Sequence, residues 1–311
     1  MMRDFSSGSL IVDRRMGFAE GLADSGDLDA AIEVLSDALT EVPGWAAGWF
    51  RLGEWLERAG RIPQAIEAWE SALAADPQDV LGAGLKRDLL RRVPVAEALP
   101  AAFVETLFDQ YAPRFDTALV DKLDYRAPAL LATALGERRF ARAMDLGCGT
   151  GLAGEALRAR CDWLEGCDIS AGMLAQAEAK GLYDRLFKSD LSALVIGDDR
   201  FDLIVAADVF VYVGALERIL GWCAGSLAPG GTLAFTVESC ADGLTLRESR
   251  RFAHSRDYLE SVLAAAGFRR VTLEPATLRT DRGGAIDGFV VLAGGLNVGD
   301  RQGDGEGMAL A

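Results

Sequence analysis

The sequence predicts an α/β chain: a mostly parallel seven-stranded sheet covered by helices, preceded by an all-α repeat domain. Three observations carry this. The N-terminal segment repeats on itself, with apolar residues at helical spacing. From residue 140, short apolar strands alternate with helical segments, the pattern of a parallel sheet buried on both faces. After the first strand stands AMDLGCGTG (143–151), with glycine at every second position behind an aspartate.

The repeat appears when SGDLDAAIEVLSDALTEVP (25–43) is set beside AGRIPQAIEAWESALAADP (59–77). Gly26 matches Gly60, Ala31 matches Ala65, Ala38 matches Ala72 and Pro43 matches Pro77, each 34 residues apart. This spacing resembles the tetratricopeptide repeat. The alanines let paired helices approach closely, and the glycines suit a left-handed turn between them. Trp49, Leu52, Trp55 and Leu56 share one helical face. Two repeats are marginal alone, so VLGAGLKRDLLRR (80–92) is expected to add a capping helix. Residues 1–92 are thus expected to form a repeat domain. Its role is to dock a protein partner or extend a substrate surface, or else simply to pack.

Residues 93–139 read as a linker and covering helices. VPVAEALP (93–100) carries two prolines, and the helices of 103–131 are expected to break near Pro113 and Pro128. Seven strands follow in the 140–295 domain: 141–146, 164–169, 185–190, 201–208, 231–238, 269–275 and 287–294. A polar stretch without a helix joins the last two, so they should pair antiparallel. The tail, 296–311, is Gly-rich and polar, a composition that favours disorder.

Composition excludes several partners. The formal net charge of -15 argues against nucleic acid and against anionic lipid. The chain has five cysteines in no C-x-x-C pair and one histidine, so no metal site is expected. Free thiols fit a reducing compartment, and neither a signal peptide nor a membrane span is legible. A cytoplasmic protein is expected.

In such a sheet the ligand binds at the carboxyl ends of the strands, where strand order reverses. Gly147, Gly149 and Gly151 let a ligand lie against the backbone. Gly149, Gly151 and Gly154 also fit G-x-G-x-x-G, the fingerprint of NAD binding. Asp145 speaks against that reading, because its carboxylate would face a pyrophosphate in a partly dry cleft. S-adenosylmethionine brings a sulfonium and an ammonium, and an acidic pocket suits both.

DLGCGTG resembles the first motif of class I S-adenosylmethionine-dependent methyltransferases, whose Rossmann-like fold matches the predicted sheet. Cys148 lies within this loop and needs no catalytic role. Asp168 in CDIS, followed by Ile169, matches the acid that holds both ribose hydroxyls. Ser189 and Asp190 match the pair near the adenine amino group, with Leu191 against the ring. FDLIVAADVF (201–210) puts Asp208 near the methyl-transfer cleft, and LAPGGTLAFTVE (227–238) matches the turn into the fifth strand. FDQYAPRFD (108–116) resembles a helix that closes over the cofactor's methionine end, with Tyr111 on the sulfonium. Alternatively, Phe108, Tyr111 and Phe115 pack into the core. The combination resembles a bacterial group of repeat-containing methyltransferases. The cofactor this implies is S-adenosylmethionine.

Candidates for the chemistry come last. His254 could act as a base; alternatively it hydrogen-bonds a backbone carbonyl. Tyr258 and Tyr212 could line the acceptor pocket, and Glu238 could orient the acceptor. RESRR (247–251) could hold an anionic group, or be a solvated loop. No N-P-P-Y, D-P-P-Y or Pro-Cys signature follows the fourth strand, which disfavours methylation of planar amino groups or of cytosine. A small-molecule acceptor is the first expectation. A protein substrate docked on the repeats is the second, and a catalytically idle scaffold the third. An NAD-dependent reductase stands last.

Overall fold

Five helices form from the N-terminal repeats: α1 (Leu10–Asp24), α2 (Leu28–Glu41), α3 (Ala46–Arg58), α4 (Ile62–Ala75) and α5 (Ala83–Arg91). This computed structural model describes residues 6–91, 99–112, 115–116, 123–247, 249–281 and 283–296. The turns between α1 and α2 and between α3 and α4 hold Gly26 and Gly60 at φ of +94° and +74°, the left-handed region where glycine is unstrained. Ala31, Ala38, Ala65 and Ala72 are buried where helices meet. Ala31, Ala65 and Ala72 pack with Leu35, Leu39, Trp55 and Trp69 in one apolar core. Trp69 lies so close to Gly53 that a Cβ there would stand 2.3 Å from its Nε1.

The chain divides into two compact units, Met1–Val104 and Glu105–Ala311. The sequence had suggested a boundary at residue 92, but the division falls within α6 (Ala101–Tyr111). Residues 93–98 of the expected linker, Pro113 and the tail from 297 lie outside the described residues. The helical run breaks at residues 124–126, just ahead of Pro128 as expected. Pro128 itself stands in the first turn of α7 (Ala127–Leu135), where its missing N–H costs nothing.

The second unit is a sheet with helices between its strands. In chain order come β1 (Phe140–Leu146), α8 (Leu152–Leu157), β2 (Cys161–Asp168), α9 (Ala171–Lys180) and β3 (Arg185–Lys188). Then follow β4 (Phe201–Ala206), α10 (Glu217–Ser226), β5 (Leu227–Ser239), β6 (Leu244–Leu246) and β7 (Phe252–His254). The unit ends with α11 (Arg256–Ala265), β8 (Arg270–Asp281) and β9 (Gly284–Gly294). The strand order is β3-β2-β1-β4-β5-β7-β6, with β9 pairing both β5 and β8. Strands β1 to β5 pair in parallel, and β9 runs antiparallel to both neighbours. Order reverses between β1 and β4, so their carboxyl ends open a crevice.

The sheet has nine strands where seven were expected. The additional pair, β6 and β7, is antiparallel, and β7 lies along the end of β5 with Glu238 opposite Ala253. Each is three residues long, too short for alternation to register in sequence. Its consequence is local: it brings the 247–251 turn to the carboxyl end of β5.

Candidate active site

Tight backbone geometry at the end of β1 sets the site. Gly147 has φ of +61°, and a Cβ there would stand 2.7 Å from the Val209 methyls. The glycine loop and the turn after β4 therefore touch, which only a residue without a side chain allows. Gly151, at φ +93°, starts α8, and no atom lies within 4 Å of where a Cβ on Gly149 would be.

Two carboxylates flank this loop. Asp145 is 1% exposed; one of its oxygens accepts from the Tyr183 hydroxyl at 2.7 Å and the other has no hydrogen-bond partner among the described residues. Burial, with the neighbouring charge of Asp168, pushes its pKa up to about 7, against the pull of the Tyr183 hydrogen bond. Asp168 accepts from Gly149 N at 2.9 Å and from Ser170 N at 2.8 Å. It braces the loop and keeps lone pairs for further donors. Burial raises its pKa too, while the backbone donors lower it.

Tyr183 escaped the sequence reading. Gly154 and Gly166 make its seat: a Cβ would stand 2.5 Å from its hydroxyl at Gly154 and 2.9 Å from its ring at Gly166. Gly154, which completed the NAD-like glycine pattern, thus seats a side chain. A glycine on a strand was the one signal available.

The remaining candidates occupy varied surroundings. The Cys148 thiol is buried, and burial holds it protonated far above its usual range; its amide donates to Cys167 O at 2.9 Å. Ile169 is half-buried between Asp168 and Ser170. Ser189 N donates to Asp168 O at 2.9 Å, while both Asp190 oxygens accept from Ser192, at 2.8 and 2.7 Å. Leu191 packs on the main core of the sheet. Tyr111 is 53% exposed.

Its segment is anchored through its acids. Asp109 accepts from Ser170 Oγ at 2.6 Å and from Gly172 N at 3.1 Å, at the start of α9. Asp116 accepts from the Thr150 hydroxyl and pairs with Lys180 at 2.8 Å. Phe108 meets the ring of Tyr212 edge-on, with centroids 5.1 Å apart.

His254 is fully buried, with Nε2 2.8 Å from Gly214 O and its ring stacked on Tyr258. Burial lowers its pKa, so the ring is neutral at pH 7. This is the carbonyl-bonded arrangement, and it leaves no open path for a proton from an acceptor. The Tyr258 hydroxyl accepts from Leu216 N at 2.8 Å and donates to Glu217 at 3.1 Å, tying α11 to the start of α10.

Asp208 and Glu238 meet at a residue the sequence did not single out, Arg279 on β8. Its side chain is 1% exposed. One nitrogen donates to both Asp208 oxygens, at 2.6 and 2.8 Å, and the other donates to Glu238. Asp208 sits at φ +58°, held by its amide on Thr236 Oγ1 at 2.9 Å. Antiparallel pairing of a distant strand brings the arginine there, which no local motif announces.

Comparison with known proteins bears on the family and the fold. A methyltransferase-domain model matches residues 144–235, and a tetratricopeptide-repeat model matches residues 22–89. Human methyltransferase-like protein 27 is 34% identical over 171 residues, covering 51% of this chain and 67% of that protein. Malonyl-[acyl-carrier protein] O-methyltransferase of Enterobacter lignolyticus is 28% identical over 161 residues, covering 52% of this chain; the chain spans 63% of that relative's length. A solved complex of DhpI with S-adenosylmethionine and HEP shares the fold, at a TM-score of 0.50 and 20% identity, over 65% of this chain and 99% of that one. The chain belongs to the class I S-adenosylmethionine-dependent methyltransferases and carries N-terminal tetratricopeptide repeats. Among the described residues, no helix is long and apolar enough to cross a membrane, and no group of three or more His, Cys, Asp or Glu is placed to hold a metal.

Proposed function

We propose that this protein transfers a methyl group from S-adenosylmethionine to a small-molecule acceptor in the crevice between the ends of β1, β4 and β5. The single observation behind this is the buried Asp145 with one unpartnered oxygen, beside Asp168, on an open glycine loop. Two carboxylates at the loop suit a cationic cofactor and repel a pyrophosphate. Asp145 would meet the cofactor's cationic end, Asp168 the ribose hydroxyls, and Ser189, Asp190 and Leu191 the adenine. When bound, S-adenosylmethionine supplies a methyl group already activated by its sulfonium.

The protein's own task is then alignment and exclusion of water. Phe108 on Tyr212 closes one wall of the crevice, and Val209 on Gly147 another. With His254 buried on a carbonyl, an acceptor that is already nucleophilic fits best. The acceptor in the Enterobacter relative's name, malonyl-[acyl-carrier protein], supports an acyl acceptor.

The repeats are proposed as an interaction module. A second reading makes them the dock for a protein substrate. It is favoured by Leu10, Ile11 and Phe18 of α1, which stand 68%, 64% and 63% exposed. Parallel calorimetric titrations with S-adenosylmethionine, S-adenosylhomocysteine and NADH test the cofactor. Binding of both adenosyl ligands and not NADH is expected; NADH binding alone would overturn the assignment. Phe18→Ser separates the two readings, since it should spare turnover of a small acceptor and abolish modification of a docked protein.

A further inference from the structure

A basic pair, Arg247 and Arg251, borders the end of β5 in a chain of net charge -15. It stands beside the buried pair that Arg279 makes with Asp208 and Glu238. Arg247 lies 3.0 Å from the second Glu238 oxygen and donates to Ser239 O at 2.5 Å. Arg251 donates through Nε to the Tyr212 hydroxyl at 3.2 Å and lies over that ring. Its remaining N–H groups meet no hydrogen-bond acceptor among the described residues, and its closest carboxylate contact, to Glu238, is 3.9 Å. Yet its side chain is only 23% exposed.

The accounting of charge is what points to a ligand. Among the described residues, the guanidinium groups of Arg247, Arg251 and Arg279 meet two carboxylates, those of Asp208 and Glu238. Arg279 already occupies both oxygens of Asp208 and one of Glu238. Arg251 is therefore a half-buried cation whose spare donor edge an anionic group could complete. Two parallel N–H groups on a planar fork match a carboxylate. The location is the acceptor side of the crevice: Tyr212 carries Arg251 on its hydroxyl and Phe108 on its ring, and Asp208 adjoins the Val209 that touches Gly147.

We infer that Arg251, steadied by Tyr212 and flanked by Arg247, binds a carboxylate of the methyl acceptor as a recognition handle. The inference rests on the small-molecule reading above. The handle is distinct from the reacting atom, because charge-assisted donors on both oxygens draw off the electron density a nucleophile needs. Asp208, Glu238 and Arg279 are positioning residues, which hold the turn's arginines at the end of β5.

The full-length protein, saturated with S-adenosylhomocysteine, is titrated with the carboxylates from acetate to adipate, with glutaramide and with phosphoethanolamine. At least one dicarboxylate should bind and glutaramide should not. Arg251→Gln should weaken that binding tenfold or more, and Arg251→Lys should restore part of it. Affinity for S-adenosylhomocysteine should be the same in all three proteins, which also shows that they are folded. The inference is overturned if no carboxylate binds, if the amide binds as well, if phosphoethanolamine is preferred, or if Arg251→Gln changes nothing. Carboxylate failure with intact S-adenosylhomocysteine binding sinks only this inference. Loss of S-adenosylhomocysteine binding in the wild-type protein would sink the cofactor reading and this inference together.

Discussion

Asp145 illustrates what one buried carboxylate does to pH dependence. Its folded pKa of about 7 lies above the ordinary value of 3.8, so folding favours the protonated form. The associated stability is fully present below about pH 4 and is lost as pH rises towards about 7, a cost on the order of a few kcal/mol. A cationic cofactor favours the ionised form instead. Cofactor affinity should therefore rise through pH 7, with a proton released on binding below it. Calorimetry at pH 6 and pH 8 checks this, and Asp145→Asn should weaken binding and flatten the dependence. Asp168→Ala should cost about 1–3 kcal/mol in cofactor affinity, the usual size for hydrogen bonds to a charged group. For His254, burial on Gly214 O implies a structural role. His254→Gln should lower the melting temperature and leave the pH profile of turnover unchanged. A flattened profile at unchanged stability would restore it as a base.

At the scale of elements, the loop between β1 and α8 depends on what lies behind it. Gly154 in α8 and Gly166 in β2 leave the space that Tyr183 fills, and Tyr183 in turn donates to Asp145. Gly154→Ala should displace that ring. A loss of about 1–3 kcal/mol in stability is expected, the range for overpacking a filled core, together with weaker cofactor binding. Denaturant melts and calorimetry measure the two effects; unchanged values would mean that Tyr183 relocates freely. The same logic applies within the repeats, where Gly53 faces Trp69 at a distance that admits no Cβ.

For the whole molecule, the repeat helices bury their own apolar core, separate from the cores on the two faces of the sheet. Local stability follows such cores. Binding of S-adenosylhomocysteine should slow hydrogen exchange in β1, α8 and the start of α9, and leave α1 to α4 as they are. Protection spreading into the repeats would show that the two units are energetically coupled.

Much of this organisation was legible in the chain itself. The 34-residue offset fixed by Gly26 and Gly60 required paired helices, since only close crossings need small residues at such intervals. The alternation after residue 140 required a parallel sheet, and Asp145, Gly147, Gly149 and Asp168 marked the end of it proposed here for the cofactor. These signals are local: each lies within a turn, a strand end or one helical period. The rest depends on groups far apart in sequence. Arg279 reaches Asp208 across 71 residues because β8 lies beside β9, and β9 beside β5. Tyr183 reaches Asp145 because two glycines on other elements leave room. His254 is buried and Arg251 left with a spare donor edge by a hairpin of three-residue strands that no periodicity reveals. Local pattern therefore determined the fold and the glycine loop with its two carboxylates. Long-range packing decided which charges are paired, and so what the acceptor end can hold.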